Sequence, residues 1–216
     1  MTATRRALCT RCTRPATACI CRWITPLASA VELLILQHPM EVSNAKGSAR
    51  LLQLSVAHAV MAVGEQFSET QLHDLLFADD RVPILLYPNL PGERELGLAE
   101  PPALDPALLS DPARLRLVIL DGTWRKSRKM LYQNRLLQQL PRLALTDVRE
   151  SHYRIRKAHA PDQLSTLEAS CLALAQLHGD AGMVLPLLGS FDAFVTHFQA
   201  TTGKLASSTS THAGDE

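Results

Sequence analysis

Four cysteines fall within thirteen residues near the start of the chain: Cys9, Cys12, Cys19 and Cys21, spaced C-x2-C-x6-C-x-C. Two close pairs of thiolates suit one tetrahedral metal ion, and four thiolates close its coordination sphere. A structural rather than a catalytic site is therefore expected. Zinc is the expected ion, and an iron–sulfur cluster is the alternative that thiolates alone leave open. The fifth cysteine, Cys171, occupies an apolar position in a helical stretch and reads as a core residue. Arg5, Arg6, Arg11, Arg14 and Arg22 surround the cluster, either as a solvated surface or as contacts to a phosphate backbone.

A second group of residues with chemical potential lies in VILDGTWRKSRKM, residues 118–130. An apolar run ends abruptly in a carboxylate, and four cations follow within five residues. Asp121 could remove or hold a proton of a bound ligand; it could equally cap the next helix or pair with Arg125. Gly122 would let backbone approach a ligand closely. Trp124 is either a stacking platform for a base or a core residue. Arg125 and Lys129 are four apart and share a helix face, with Lys126 and Arg128 on adjacent faces. Such a run is a solvated surface or, beside a nucleoside site, a set of phosphate contacts. Arg154, Arg156 and Lys157, in HYRIRKAHAP, form another local basic group beside an aromatic. Ser165, Thr166, Leu167 and Glu168 have the S-x-x-E pattern of a capping box. A helix start of this kind also offers N–H groups to a ligand carboxylate. His38 and His152 stand alone and read first as structural.

These residues need elements to hold them. The runs VELLILQ (31–37), VPILLY (82–87) and LRLVILD (115–121) read as short buried strands, and PRLALTDV (141–148) as a weaker fourth. Helical spacing runs through 45–65 up to Gly64, and helices are expected over 123–140, 164–179 and about 190–201. Short apolar runs alternating with helices imply an α/β fold with a mostly parallel sheet covered on both faces. In open α/β sheets ligands bind outside the carboxyl ends of the strands. Three of the runs end there in Gln37-His38-Pro39, in Tyr87-Pro88-Asn89 and in Asp121-Gly122-Thr123-Trp124. Residues 91–114 hold five prolines and form a long connection. The division expected is a cysteine segment over 1–24, a catalytic domain over 25–202 and a disordered Ser/Thr-rich tail over 203–216.

At 216 residues, 46% hydrophobic and 20% charged, the composition is that of a soluble globular protein. The net charge of +1 gives no global field for nucleic acid or membrane, so any basic patch is local. No apolar run approaches the roughly 18 residues of a membrane span. The opening residues lack a signal-peptide pattern, so a cytoplasmic location with reduced thiols is expected.

The cysteine cluster, QHPME (37–41), DGTW (121–124) and STLEA (165–169) occur in this order. Together they resemble the DTW-domain family, the tRNA-uridine aminocarboxypropyltransferases, over about residues 9–198. The resemblance implies a SPOUT-like, knotted α/β fold and binding of S-adenosylmethionine at the carboxyl ends of parallel strands. It further implies transfer of the 3-amino-3-carboxypropyl group to N3 of a uridine in tRNA, with methylthioadenosine released. On that resemblance Asp121 and Trp124 are the catalytic candidates. Gln37, His38, Pro39, Leu86, Tyr87, Pro88, Gly122, Thr123, Ser165, Thr166 and Glu168 are the candidates for S-adenosylmethionine. Arg125, Lys126, Lys129, Arg154, Arg156 and Lys157 are the candidates for tRNA, and zinc is the structural ion. Two other readings compete: a SPOUT-like RNA methyltransferase with the same cofactor, and a noncatalytic zinc-knuckle RNA-binding module. A zinc hydrolase is not expected, because four thiolates leave no open position and no H-E-x-x-H occurs.

Overall fold

The computed structural model describes residues 7–44, 47–89, 100–146 and 164–208. Five parallel strands form one sheet in the order β2-β1-β4-β3-β5. They are β1 (Glu32–Gln37), β2 (Val60–Val63), β3 (Val82–Leu86), β4 (Leu115–Asp121) and β5 (Arg142–Leu143). The helices are α1 (Ser48–Ser55), α2 (Glu69–Phe77), α3 (Trp124–Gln133), α4 (Arg135–Gln138), α5 (Thr166–His178) and α6 (Leu185–Ser208). No helix among the described residues is long and apolar enough to cross a membrane.

The unbroken apolar character of β1 and β4 follows from burial on both faces. Successive side chains of a strand point to opposite sides. Leu33, Ile35, Leu117 and Ile119 accordingly join a core with residues of α1, α5 and α6, including Leu52, Leu174 and Phe191. Leu34, Leu36, Val118 and Leu120 pack instead with Leu72, Leu76, Met130, Leu131 and Leu137 of α2, α3 and α4. Cys12 and Ile20 of the cysteine segment are buried in the first of these cores.

The strands at 31–37, 82–87 and 115–121 are therefore neighbours and parallel, as their sequences imply. Three helical stretches differ from expectation. The helix expected over about 190–201 is α6, which runs from Leu185 to Ser208 and so enters the segment expected as a disordered tail. The stretch over 45–65 is helical only to Ser55. Val56 is extended, His58 takes φ 60°, and Val60–Val63 pairs with β1 as an edge strand. The helix expected over 123–140 breaks at Asn134. Its side-chain amide accepts from Phe67 N at 2.9 Å and donates to the carbonyls of Glu65 and Met130. Those bonds anchor the loop before α2 at the cost of helix continuity. The weak fourth run contributes only Arg142–Leu143, and 147–148 lie outside the described residues.

The amino ends of the strands are tied by a buried guanidinium. Arg116, 2% exposed, donates to Glu32 Oε1 at 2.8 Å and to Leu75 O at 2.8 Å. Arg81 binds the other oxygen of Glu32 at 2.9 Å. This fixes β1 against β4 from Glu32↔Arg116 to Gln37↔Asp121.

α5 ends at Gly179, whose φ of 64° lets its N–H reach the carbonyls of Ala175 and Gln176. A Cβ built there would meet nothing within 4 Å, so only backbone conformation penalises a side chain. Gly179→Ala is therefore expected to cost about 1 kcal/mol in urea unfolding, and Gly179→Asn less.

Candidate functional site

The β1–β4 register places Gln37 directly beside Asp121 at the carboxyl edge of the sheet. Both are buried, each 6% exposed. Gln37 Nε2 donates to Asp121 Oδ2 at 2.8 Å, and Thr166 Oγ1 donates to Oδ1 at 2.6 Å. The Asp121 carbonyl accepts from His38 N at 2.9 Å. Asp121 does not cap α3: Thr123 does, its hydroxyl accepting from Lys126 N. Nor does it pair with Arg125. Among the described residues no cation lies within ion-pair distance of its carboxylate.

The loops on either side of Asp121 are stapled to α3. The His38 ring accepts from Met40 N at Nδ1, so its proton sits on Nε2 and is donated to Glu65 Oε1 at 2.9 Å. Lys129 binds the other oxygen of Glu65 at 2.8 Å, and Lys126 binds Glu41 at 2.7 Å. Lys129 first, then His38, holds the Glu65 carboxyl below its usual range; Lys126 and Asn44 do the same for Glu41. A Cβ at Gly122 would lie 3.1 Å from Lys126 Cβ, so a side chain there would require α3 to give by a few tenths of an ångström.

On the other side of β4, Tyr87 is buried at the end of β3. It meets Trp124 edge-on, with centroids 5.8 Å apart. Arg142 lies over the Tyr87 ring at 5.3 Å and donates to Pro88 O. Trp124 itself is 54% exposed, so it is not a core tryptophan. Leu86 and Pro88 are half-buried, and Pro39, Thr123 and Arg125 are exposed.

α5 begins against this edge. Ser165 and Glu168 form the full capping box: Ser165 Oγ accepts from Glu168 N, and Glu168 Oε2 accepts from Ser165 N at 2.8 Å. Ser48 Oγ accepts from Leu167 N, tying α5 to α1. Of the candidates from sequence, Gln37, His38, Asp121, Gly122 and Thr166 thus meet directly, and Tyr87 and Trp124 meet beside them. Lys126 and Lys129 face their glutamates. Arg154, Arg156, Lys157 and His152 lie outside the described residues, as do Arg5 and Arg6. Glu41 ends the QHPME motif but was not singled out as a site residue, and Glu65 and Arg142 carry no motif signal in the sequence.

The four thiols converge within 4.8 Å of one another, with Cys9 and Cys21 at 3.5 Å and Cys12 and Cys19 at 3.7 Å. A tetrahedron with metal–sulfur bonds of about 2.3 Å has edges of about 3.8 Å, so the set fits one zinc ion. Backbone N–H groups of Cys12 and Arg11 bring the Cys9 thiol down to about 6, whereas burial and the neighbouring sulfurs push Cys21 up to about 12. Arg14 binds Gly47 O, and Arg50 binds Arg11 O, docking the segment on the start of α1. Cys171 is buried apart from the cluster, and burial raises its thiol to about 12.

The chain combines a parallel α/β sheet, a buried carboxylate at its carboxyl edge and a cluster of four cysteines. The chain belongs to the DTW domain family, whose model matches residues 6–199. It is 32% identical over 181 residues to mouse (Mus musculus) tRNA-uridine aminocarboxypropyltransferase 2, covering 81% of this chain and 58% of that one. The Drosophila melanogaster protein of the same name is 31% identical over 183 residues, 80% of this chain and 68% of its own. The chain therefore spans little more than half the length of the mouse relative. No solved structure matches it.

Two expectations follow. Elemental analysis should find about one zinc per chain, and Cys12→Ser should lose it and lower the melting temperature; stoichiometric iron with visible absorbance would instead identify a cluster. The lowered Glu41 and Glu65 carboxyls stabilise the fold fully above their unfolded value of about 4.3. That contribution is lost as pH falls through their folded values. The melting-temperature gap between wild type and Glu41→Gln/Glu65→Gln should be widest near neutrality and close below about pH 4.

Proposed function

We propose that the protein transfers the 3-amino-3-carboxypropyl group of S-adenosylmethionine to N3 of a uridine in tRNA and releases methylthioadenosine. The observation that carries this reading is the Asp121 carboxylate. It is buried, held by two neutral donors, and without a cation in reach among the described residues. A buried charge in that state favours a ligand that delivers a proton or a positive charge. A uridine N3–H is such a proton, and a sulfonium is such a charge. The names of the relatives supply the reaction class.

When bound, S-adenosylmethionine would supply an activated carbon at its sulfonium, and the pose decides which of three carbons reacts. The residues of this chain do the rest. Asp121 takes the N3 proton: each carboxylate oxygen keeps a second lone pair beyond its bond to Gln37 or Thr166. Gln37 and Thr166 fix the direction of those lone pairs. The loops at 37–39, 86–88 and 122–123 surround the adenosine. Trp124, braced by Tyr87, offers its exposed face to a base. At the start of α5, Ser48 and Ser165 already accept from Leu167 and Glu168, which leaves the Thr166 N–H and the helix dipole to the carboxylate of the methionine portion. Glu168 is primarily the cap. Arg125, with Arg154, Arg156 and Lys157, contacts tRNA. The all-parallel sheet with β4 between β1 and β3 is compatible with a SPOUT-like arrangement of this edge.

Incubation with S-adenosylmethionine and tRNA, followed by mass spectrometry of the nucleosides, should find an aminocarboxypropyl-uridine and an equal amount of methylthioadenosine. S-adenosylhomocysteine with a methylated nucleoside would identify a methyltransferase, and retained RNA with unconsumed cofactor a binding module. Asp121→Asn should lower the single-turnover rate by roughly 10²–10⁴-fold while cofactor affinity barely changes. A weakened cofactor affinity at a near-normal rate would make Asp121 a counter-ion rather than a base.

A further inference from the structure

Between Gly122 and Thr146 the chain carries six cations and no Asp or Glu. Three of the six are engaged within the fold. Lys126 pairs with Glu41, Lys129 pairs with Glu65, and Arg142 is buried against Tyr87 and the Pro88 carbonyl. The other three, Arg125, Arg128 and Arg135, are exposed. No carboxylate among the described residues lies within ion-pair distance of them.

Positions 125, 128 and 132 are three or four apart, so they share a side of α3, and Arg135, also exposed, opens α4 just past the break at Asn134. The opposite side carries the buried residues Ser127, Met130, Leu131, Asn134 and Leu137. Tyr132, 41% exposed, stands between Arg128 and Arg135, and Trp124, 54% exposed, stands at the end nearest Asp121. At 1.5 Å rise per residue α3 carries this side from Arg125 to Tyr132 about 10 Å away from the site.

We propose that this face, Arg125, Arg128, Tyr132 and Arg135, binds the RNA backbone that leaves the modified uridine, with Tyr132 stacking on an unpaired base. The inference rests on the tRNA-uridine reading and adds to it where the strand goes. Guanidinium groups without internal partners, interleaved with exposed rings, are how proteins track a single strand: the charges follow phosphates and the rings accept any base. This face starts at the base-sized platform of Trp124, so one strand can occupy both. Lys126 and Lys129, on the same helix, contribute little because their charges are already matched.

The test is fluorescence anisotropy of a labelled, unmodified tRNA transcript over a salt series. Arg128→Gln/Arg135→Gln should raise Kd at least tenfold at low salt and flatten the plot of log Kd against log salt by about 1.4–1.8, the value for two lost phosphate contacts. Arg128→Lys/Arg135→Lys should restore most of the slope, which a general loss of structure would not. Tyr132→Ala should raise Kd by roughly fivefold or more with the slope unchanged. Arg114→Gln, an exposed arginine at the amino end of β4 on the far edge of the sheet, should change neither. Wild-type Kd and slope in the double Gln variant overturn the proposal, as does an equal effect per charge from Arg114→Gln. A wild-type protein that binds no tRNA overturns the functional reading itself.

Discussion

A carboxylate taken out of water has to be satisfied by whatever surrounds it, and the surroundings of Asp121 are set by the pairing of β1 with β4. Glu32↔Arg116 locks the amino end of that pair with a buried ion pair, and four apolar positions on each strand follow. Gln37 then arrives opposite Asp121. A slip of one residue would send every side chain of β1 to the other face and put His38 beside the carboxylate. Two contrasting electrostatic solutions therefore cap the same pair of strands. At one end a charge is neutralised inside the fold; at the other it is only hydrogen-bonded and stays available.

The elements around Asp121 serve that availability. α5 reaches the edge through its capped start, where Ser165 and Glu168 settle the helix's own N–H groups and Thr166 turns its hydroxyl to the carboxylate. α3 is drawn against the β1 and β2 loops by Lys126–Glu41 and Lys129–Glu65, and the absence of a side chain at Gly122 permits that approach. On the far side, Arg142 and Tyr87 support an indole that would otherwise be free to rotate. The four-cysteine segment is part of the same construction: Cys12 and Ile20 share the core with β1, β4 and α5, so a metal held by these thiols would be coupled to the integrity of the sheet.

Strands buried on both faces were legible because they leave unbroken apolar runs, and the strand-end position of Asp121 marked the candidate site. The edge strand β2 was not, because it is half-exposed and its valines continue a helical spacing started by α1. Asn134 breaks a helix through tertiary bonds that no local pattern announces. The cation cluster illustrates the limit most clearly. Composition identifies Arg125, Lys126, Arg128 and Lys129 alike, yet two are matched by Glu41 and Glu65, residues distant in sequence. The capping box at Ser165–Glu168 was readable in full, because its partners lie within one turn.

The reading stands or falls on where the nucleoside sits. A crystal structure of the protein with methylthioadenosine would decide it. Adenosine is expected between the ends of β1, β3 and β4, in contact with residues 37–39, 86–88 and 122–123, with its sulfur directed toward Asp121 and Thr166. Density at the amino edge near Arg116 and Glu32, or on the outer surface of the cysteine segment, would contradict a site built on the Asp121 carboxylate.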